Sequence, residues 1–581
     1  VLYLKTFRGL LVLAAGLALT GCAAGSGYDF GNLSSSNRIG GPSHYGAYLA
    51  AQQAQYDGDT VTAARQFRRA LQIGPADPEI LERAYVLDIS NGDVAEAARL
   101  AEVALEVTPE NTFARLTVAV DWFKRGHYAE SRELMEGVDA GVLTNLTVAL
   151  LQAWSYAGEN QPDTGMADLA GQQLDGVELF QSYHGALLAD LAGDLNNAEV
   201  GYVAAITGSG GSSARVVEAY GNFLERTGRS AEAVRIYDAY LDIVPHNASV
   251  AAARERANAG RAPRRLVNNA RAGAAEALFS VASVVAGQGA YDVPALYLQL
   301  ALHLNPDLDE ARSLLGDLYA QMELFDQAEQ VYAAINPRSP LRFSADIQRA
   351  FLFNRMDRED DAIRLLARLT NSDPHSFQAW IAYADTLRGE SEFEDAANAY
   401  AQAIGLLDEE QQSDPRYWSL YYSYGISLER IGEWPAAENA FQYALTLNED
   451  QPYVLNYLGY SWIERGENLD EALAMIHRAV EQEPNDGFII DSLGWGYYQL
   501  GQYDEAVLYL ERAVELASGD PTLNDHLGDA YWRVGRTREA RFQWSHALGM
   551  NPDEDQVPVI EAKLADGLSD QPATADNHGG N

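Results

Sequence analysis

Residues 489–513 read IIDSLGWGYYQLGQYDEAVLYLERA, with three glycines (Gly494, Gly496, Gly501) among one tryptophan and four tyrosines. A glycine-rich loop can cradle phosphate, and an aromatic cluster can hold a sugar or cofactor. A third reading needs neither. Leu493, Gly494, Tyr497 and Leu500 recur at helical spacing, and Gly501 then ends that helix. Ala506, Leu510 and Ala513 share one face of a second helix. Small residues at 494, 506 and 513 let two backbones approach closely while larger neighbours fill the adjoining volume. Tyr497 is then core, and Gly496 is left as an incidental small residue.

The same beat runs through the chain. Gly58, Gly92 and Gly126 stand 34 residues apart, as do Pro75 and Pro109. Gly425, Gly459, Gly494 and Gly528 follow at steps of 34, 35 and 34, shadowed by Gly432, Gly466, Gly501 and Gly535. Trp380, Tyr383, Ala384, Ala396, Tyr400 and Ala403 repeat the small–large pattern, and Gly221, Gly228, Ala233, Tyr237 and Pro245 repeat it again. A period of this length with two helices per unit resembles the tetratricopeptide repeat (TPR). The resemblance implies an all-α fold, a right-handed TPR solenoid of about 12–14 helix-turn-helix repeats. Units are expected to start near 44, 78, 112, 146, 179, 214, 275, 309, 343, 377, 418, 452, 487 and 521. Those at 146 and 179 are degenerate, and LLDEEQQSD (406–414) lengthens the exit of the 377 unit. Between Gly228 and Gly289 the phase breaks, around the Arg-rich stretch 248–274 with Arg254, Arg256, Arg261, Arg264, Arg265 and Arg271. A boundary between two arms, 44–247 and 275–554, is expected there. The arginines could form a solvated basic helix, an arm–arm contact or a site for an acidic partner.

Composition and motifs exclude several chemistries. The 41 Lys+Arg against 83 Asp+Glu give a formal charge of −42, which opposes nucleic-acid binding and favours basic segments of partner proteins. Neither GWGYYQLG nor TGSGGSSA (207–214) continues into the Gly-Lys-Ser/Thr of a phosphate loop. The ten histidines are scattered without ligand spacing, so no metal is expected. His526 and His546 read as surface residues. No Gly-x-Ser-x-Gly elbow is present, and paired carboxylates carry no information among so many. No enzymatic activity and no cofactor are expected.

The N-terminal stretch carries its own signal. Lys5 and Arg8 precede an apolar run, Gly9–Leu19, too short for a good membrane span. It ends in Leu19-Thr20-Gly21-Cys22, whose cysteine is the only one in the chain. This resembles the bacterial lipobox, in which 1–21 is removed as signal peptide and Cys22 receives acyl (palmitate-class) chains. Several such chains make a stable anchor. With no Asp after Cys22, the resemblance implies the outer membrane, facing the periplasm. Residues 22–43 read as a flexible tether, 555–568 as a capping helix and 569–581 as a disordered tail.

What remains is a surface. First helices line the concave face of a stacked helix-pair array, so their non-core positions are candidates for contact. In the last four units these are Tyr422, Glu429 and Arg430; Tyr453, Asn456 and Tyr460; Asp491, Trp495, Tyr498 and Gln499; and Asp525, Asp529, Trp532 and Arg533, of which all but Glu429, Tyr453 and Gln499 are the groove candidates. Tyr, Trp and Arg are the side chains enriched at binding hot spots. Trp495 and Trp532 either face the groove or pack between adjacent repeats. Without a Lys/Arg cluster for a terminal carboxylate, an internal or helical peptide fits better.

From Tyr453 to Leu548 the chain also resembles a proteobacterial group of outer-membrane TPR lipoproteins, some of which are adaptors for a periplasmic carboxyl-terminal-processing protease. The resemblance implies a non-catalytic scaffold that recruits periplasmic proteins, such as a protease and its cell-wall hydrolase substrates. A pilotin-like assembly factor for a secretion or pilus system is the alternative.

Overall fold

The computed structural model of the protein describes residues 43–172 and 176–569. The expected signal, Cys22, the tether up to residue 42 and the tail beyond Ser569 lie outside the described residues. The described chain forms thirty-one α-helices and one short 3-10 turn, with no strand. Twenty-eight helices pair in sequence, and each first helix, from His44–Tyr56 to Pro521–Arg533, begins within five residues of the expected register.

Local chemistry explains the units. Second helices start on side-chain caps such as Asp59 and Asp93, whose carboxylates accept from the backbone N–H of Thr62 and Glu96. The turn between paired helices needs a left-handed residue, supplied at Gly501 with φ 73°. The corresponding turns of the weaker units use Asn160, Glu323, Asp357 and Ser391, with φ of 62°, 60°, 53° and 62°. The geometry therefore persists where the glycine beat fades. Packing follows the small–large rule: a Cβ on Gly494 would lie 2.6 Å from Leu510 Cγ. Gly496 proves not to be incidental, because a Cβ there would meet Ile463 Cδ1 of the preceding unit at 2.8 Å. Tyr497 is only half-buried, stacked on Tyr509 with ring centroids 5.3 Å apart.

The expected division at 248–274 is not a division in packing. One apolar core runs from Leu81 to Leu352, straight across it. The chain turns back at the junction and lays the helices Ala270–Ala286 and Asp292–Leu304 against the earlier helices Pro78–Ser90, Thr112–Arg125 and Val142–Gly158. The physical reason is the small-residue face Ala270, Gly273, Ala274 and Ala277, which admits the large Trp154. This re-entrant pair is pinned by polar contacts. Gln299 Nε2 and Tyr319 Oη both donate to the Ser90 carbonyl, and His303 Nε2 lies 3.1 Å from Asp121 Oδ1.

At the centre of the closure, Arg215 donates two parallel bonds to Glu276, at 2.9 and 2.8 Å, and another to Glu310 at 2.8 Å. Tyr183 Oη donates to Glu276 as well. Burial works against ionising Glu276, yet Arg215 holds its pKa below the ordinary value. The junction arginines belong to the same closure. Arg256 grips Glu225 at 2.8 and 3.1 Å, Arg254 lies 3.4 Å from Asp238, and Arg265 lies 3.5 Å from Asp190. Arg261, Arg264 and Arg271 remain exposed. Half of the arginines of the basic stretch thus act as counter-charges to neighbouring carboxylates.

Candidate binding groove

Among the described residues beyond 417, no later helix folds back on the first helices before the terminal helix Gln556–Asp566. The first helices Trp418–Arg430, Pro452–Arg465, Gly487–Gln499 and Pro521–Arg533 carry all eleven candidate residues of the groove. Repetition at 34 and 35 residues places Tyr422, Asn456, Asp491 and Asp525 at one position, and Tyr460, Trp495 and Asp529 at another.

A cleft of about 480 Å³ opens across three of these helices and the start of the fourth. Arg430, Asn456, Tyr460 and Asp491 line it, together with Glu464, Arg465, Phe488 and His526. Asp491 is 5% exposed, and its Oδ2 lies 2.9 Å from His526 Nδ1. His526, read from sequence as a surface residue, is therefore buried. Burial opposes its protonation, but Asp491, with Asp525 and Asp529 behind, holds its pKa above the ordinary histidine value. Its ring stacks on Trp495 at 4.0 Å, and Trp495 stacks in turn on Tyr498 at 4.6 Å. The Trp495 indole donates to Glu464 Oε1 at 2.6 Å. Trp495 thus packs between adjacent repeats and fixes the cleft wall. Tyr460 has its pKa raised by burial and by the carboxylates of Glu464 and Asp491. His546, the other histidine read as a surface residue, is exposed, with Nδ1 3.2 Å from Asn524 Oδ1.

The remaining candidates have other surroundings. Tyr422 is half-buried among the rings of Trp418, Phe441 and Tyr457, and burial pushes its pKa up to about 12. The last unit is covered by the terminal helix Gln556–Asp566, at the position expected for a cap. Lys563 donates to Asp525 at 2.6 Å and to Asp529 at 2.9 Å. Asp529 also accepts from Trp544 Nε1, and burial raises its pKa to about 6 against the pull of Lys563. Trp532 packs on Trp544 and directly against Gly567, so it is a packing residue. Arg533 donates to Tyr498 Oη at 3.2 Å and to the Ser569 carbonyl at 2.8 Å. Asp525, Asp529, Trp532 and Arg533 therefore hold the chain's own C-terminal segment.

Sequence reasoning missed Glu464, Arg465, Phe488 and His526. Phe488 carried a signal in its repeat position, as a large apolar residue one step into a first helix, and the structure leaves it 56% exposed. Among the described residues, no group of three or more His, Cys, Asp or Glu is placed to hold a metal ion.

A tetratricopeptide-repeat family model matches residues 410–573, and a second matches 355–415. The fold is a tetratricopeptide-repeat solenoid. Solenoids of this class generally bind proteins or peptides and are typically non-catalytic. Similar solved structures include the APC/C hetero-tetramer Cut9–Hcn1, at 16% identity over 90% of this chain and 96% of that one, with a TM-score of 0.36. A TPR protein from Parabacteroides merdae matches at 17% identity over 44% and 97%, with a TM-score of 0.37. YrrB, described as a TPR protein with an unusual peptide-binding site, matches at 20% identity over 34% and 97%, with a TM-score of 0.26. No curated protein matches the chain significantly.

Proposed function

We propose that this solenoid is a non-catalytic adaptor that binds other proteins through the cleft between Arg430 and His526. The observation that carries the reading is an asymmetry. The early concave surface is filled by the re-entrant pair and the last unit by the terminal helix, while the units between keep an open cleft. Lys5, Arg8, the apolar run 9–19 and Cys22 support a lipid anchor in the outer membrane, with the solenoid in the periplasm. Such a tether confines partners near the membrane and raises their effective concentration without new chemistry. A periplasmic protease and its cell-wall hydrolase substrates are the partners that the sequence resemblance suggests.

Affinity capture of the tagged full chain from cross-linked, solubilised envelopes tests this. A periplasmic protein retained by wild type and lost by a folded Asn456→Ala/Tyr460→Ala variant is expected. Recovery of no periplasmic protein sinks the adaptor reading. Retention by the variant sinks the cleft as its site. For the anchor, Cys22→Ser should release the protein from the outer-membrane fraction.

A further inference from the structure

Asn456, Asp491 and Asp525 occupy one repeat position on three successive first helices. In each, Oδ1 is buried and has no hydrogen-bond partner among the described residues. Buried acceptors are costly unless a donor reaches them, so three in register mark a row built to receive donors. The final rung shows which charge this position attracts: Lys563 of the terminal helix sets its ammonium on Asp525 Oδ2 and Asp529 Oδ2, while Asp525 Oδ1 stays without a partner. One unit earlier no lysine or arginine among the described residues reaches Asp491, whose Oδ2 is met by His526 instead. Asp491, nine-tenths buried, lines the open cleft, and His526, held in place by its stack on Trp495, takes only its Oδ2.

The surroundings agree in sign. Glu429, Glu464, Asp491 and Asp520 line the cleft. Its two arginines are exposed and lie near carboxylates of their own: Arg430 is 3.7 Å from Glu429, while Arg465 is 3.5 Å from Glu467 and over the Trp434 ring. Phe488 offers an apolar rim on which an aliphatic stem can lie. Beyond the site, the formal charge of −42 draws basic segments toward the protein.

We propose that the cleft binds a peptide segment of a partner protein that presents a lysine or arginine side chain to Asp491, with a second donor reaching Asn456. This deepens the adaptor reading and rests on it. Lys563 on Asp525 is the chain's own example of a side-chain cation at this repeat position.

The test pans the full chain against a phage-displayed library of short random peptides. Recovered peptides are synthesised and titrated by fluorescence anisotropy against wild type, Asp491→Asn and Asn456→Ala. A shared Lys or Arg is expected, with affinity falling about tenfold or more in Asp491→Asn, as for loss of a charge-assisted bond. Exchanging the peptide's basic residue for norleucine should cost the same factor on wild type and little further on Asp491→Asn. That exchange needs no protein variant, so it decides the matter even where a substitution fails to fold. Peptides that lose affinity in Asn456→Ala but share no basic residue overturn the inference and leave the groove reading standing. Peptides indifferent to both substitutions overturn the site itself. If no peptide is recovered, the inference falls, and envelope capture alone decides the broader reading.

Discussion

Gly273 lies flat against the indole of Trp154, so close that a Cβ on the glycine would overlap the ring. Trp154 is wholly buried, and its Nε1 donates to His184 Nδ1 at 3.1 Å, so the ring has no room to retreat. This contact is where the re-entrant pair meets the helices it fills. Gly273→Ala is expected to lower stability by about 1–3 kcal/mol through overpacking, and Gly273→Val by more. Thermal unfolding measures the loss, and hydrogen exchange should show it first in Ala270–Ala286 and Asp292–Leu304.

Arg215 is the counter-charge of that closure. Arg215→Ala leaves Glu276 buried, 1% exposed, without its cation, and should cost roughly 3–5 kcal/mol. An Arg215→Met/Glu276→Met double variant removes both charges and is expected to recover much of the loss. Denaturant titration of the two variants compares them. Equal destabilisation would show that the unpaired Glu276 carboxylate is not what costs the single variant its stability.

Acid–base behaviour follows from the same cluster. Burial pushes the Glu218 carboxyl up to about 7, against the pull of Arg215, from an ordinary value of 4.5. Between those values the folded chain holds a proton that the unfolded chain has released. Its contribution to stability is therefore full below 4.5 and is lost as pH rises through about 7. Glu276, held below its ordinary value, acts in the opposite sense and loses its contribution on acidification. Glu218→Gln should flatten the decline in melting temperature between roughly pH 5 and 7.5.

At the other end, Lys563→Ala should free the terminal helix and leave Asp525 and Asp529 without their cation. Hydrogen-exchange protection is expected to collapse across Gln556–Asp566 while the re-entrant pair keeps its own. Trp532→Ala removes the ring beneath Gly567 and should cost about 3 kcal/mol, at the low end for a tryptophan cavity because the ring is only half-buried.

The left-handed turns allow a gain. Glu323 has φ 60°, a conformation costing a non-glycine residue roughly 1–2 kcal/mol. Glu323→Gly relieves that strain but frees the unfolded chain, for a net stabilisation of about 0.5–1 kcal/mol. A rise in melting temperature checks it, with Gly501→Glu falling in the opposite direction.

How far the residues could be read depended on how local the cause was. Gly501, Ala506 and Leu510 act within one helix pair, so spacing alone reveals them. Asn160, Glu323, Asp357 and Ser391 adopt the same turn without the residue that announces it, so the rhythm is quiet there although the structure is not. The cleft was partly legible because repeat position placed Arg430, Asn456, Tyr460 and Asp491 on the concave side. Position could not say which rungs the chain covers itself. Nothing about Lys563 marks it as the partner of residues 38 and 34 positions earlier. His526 looked solvated because its burial depends on Trp495 of the unit before.

By itself the sequence determined the repeat, the helix pairing and the concave ladder, since these follow from periodicity and short-range sterics. Only the tertiary structure decided which stretches of groove stay open. The re-entrant pair closes the early surface because a small-residue face happens to accept Trp154 across more than a hundred residues of chain. The terminal helix closes the last rung because one lysine reaches two carboxylates. Such closures depend on long-range shape and charge matching, which no local period encodes, and they leave the cleft lined by Asp491 uncovered by either.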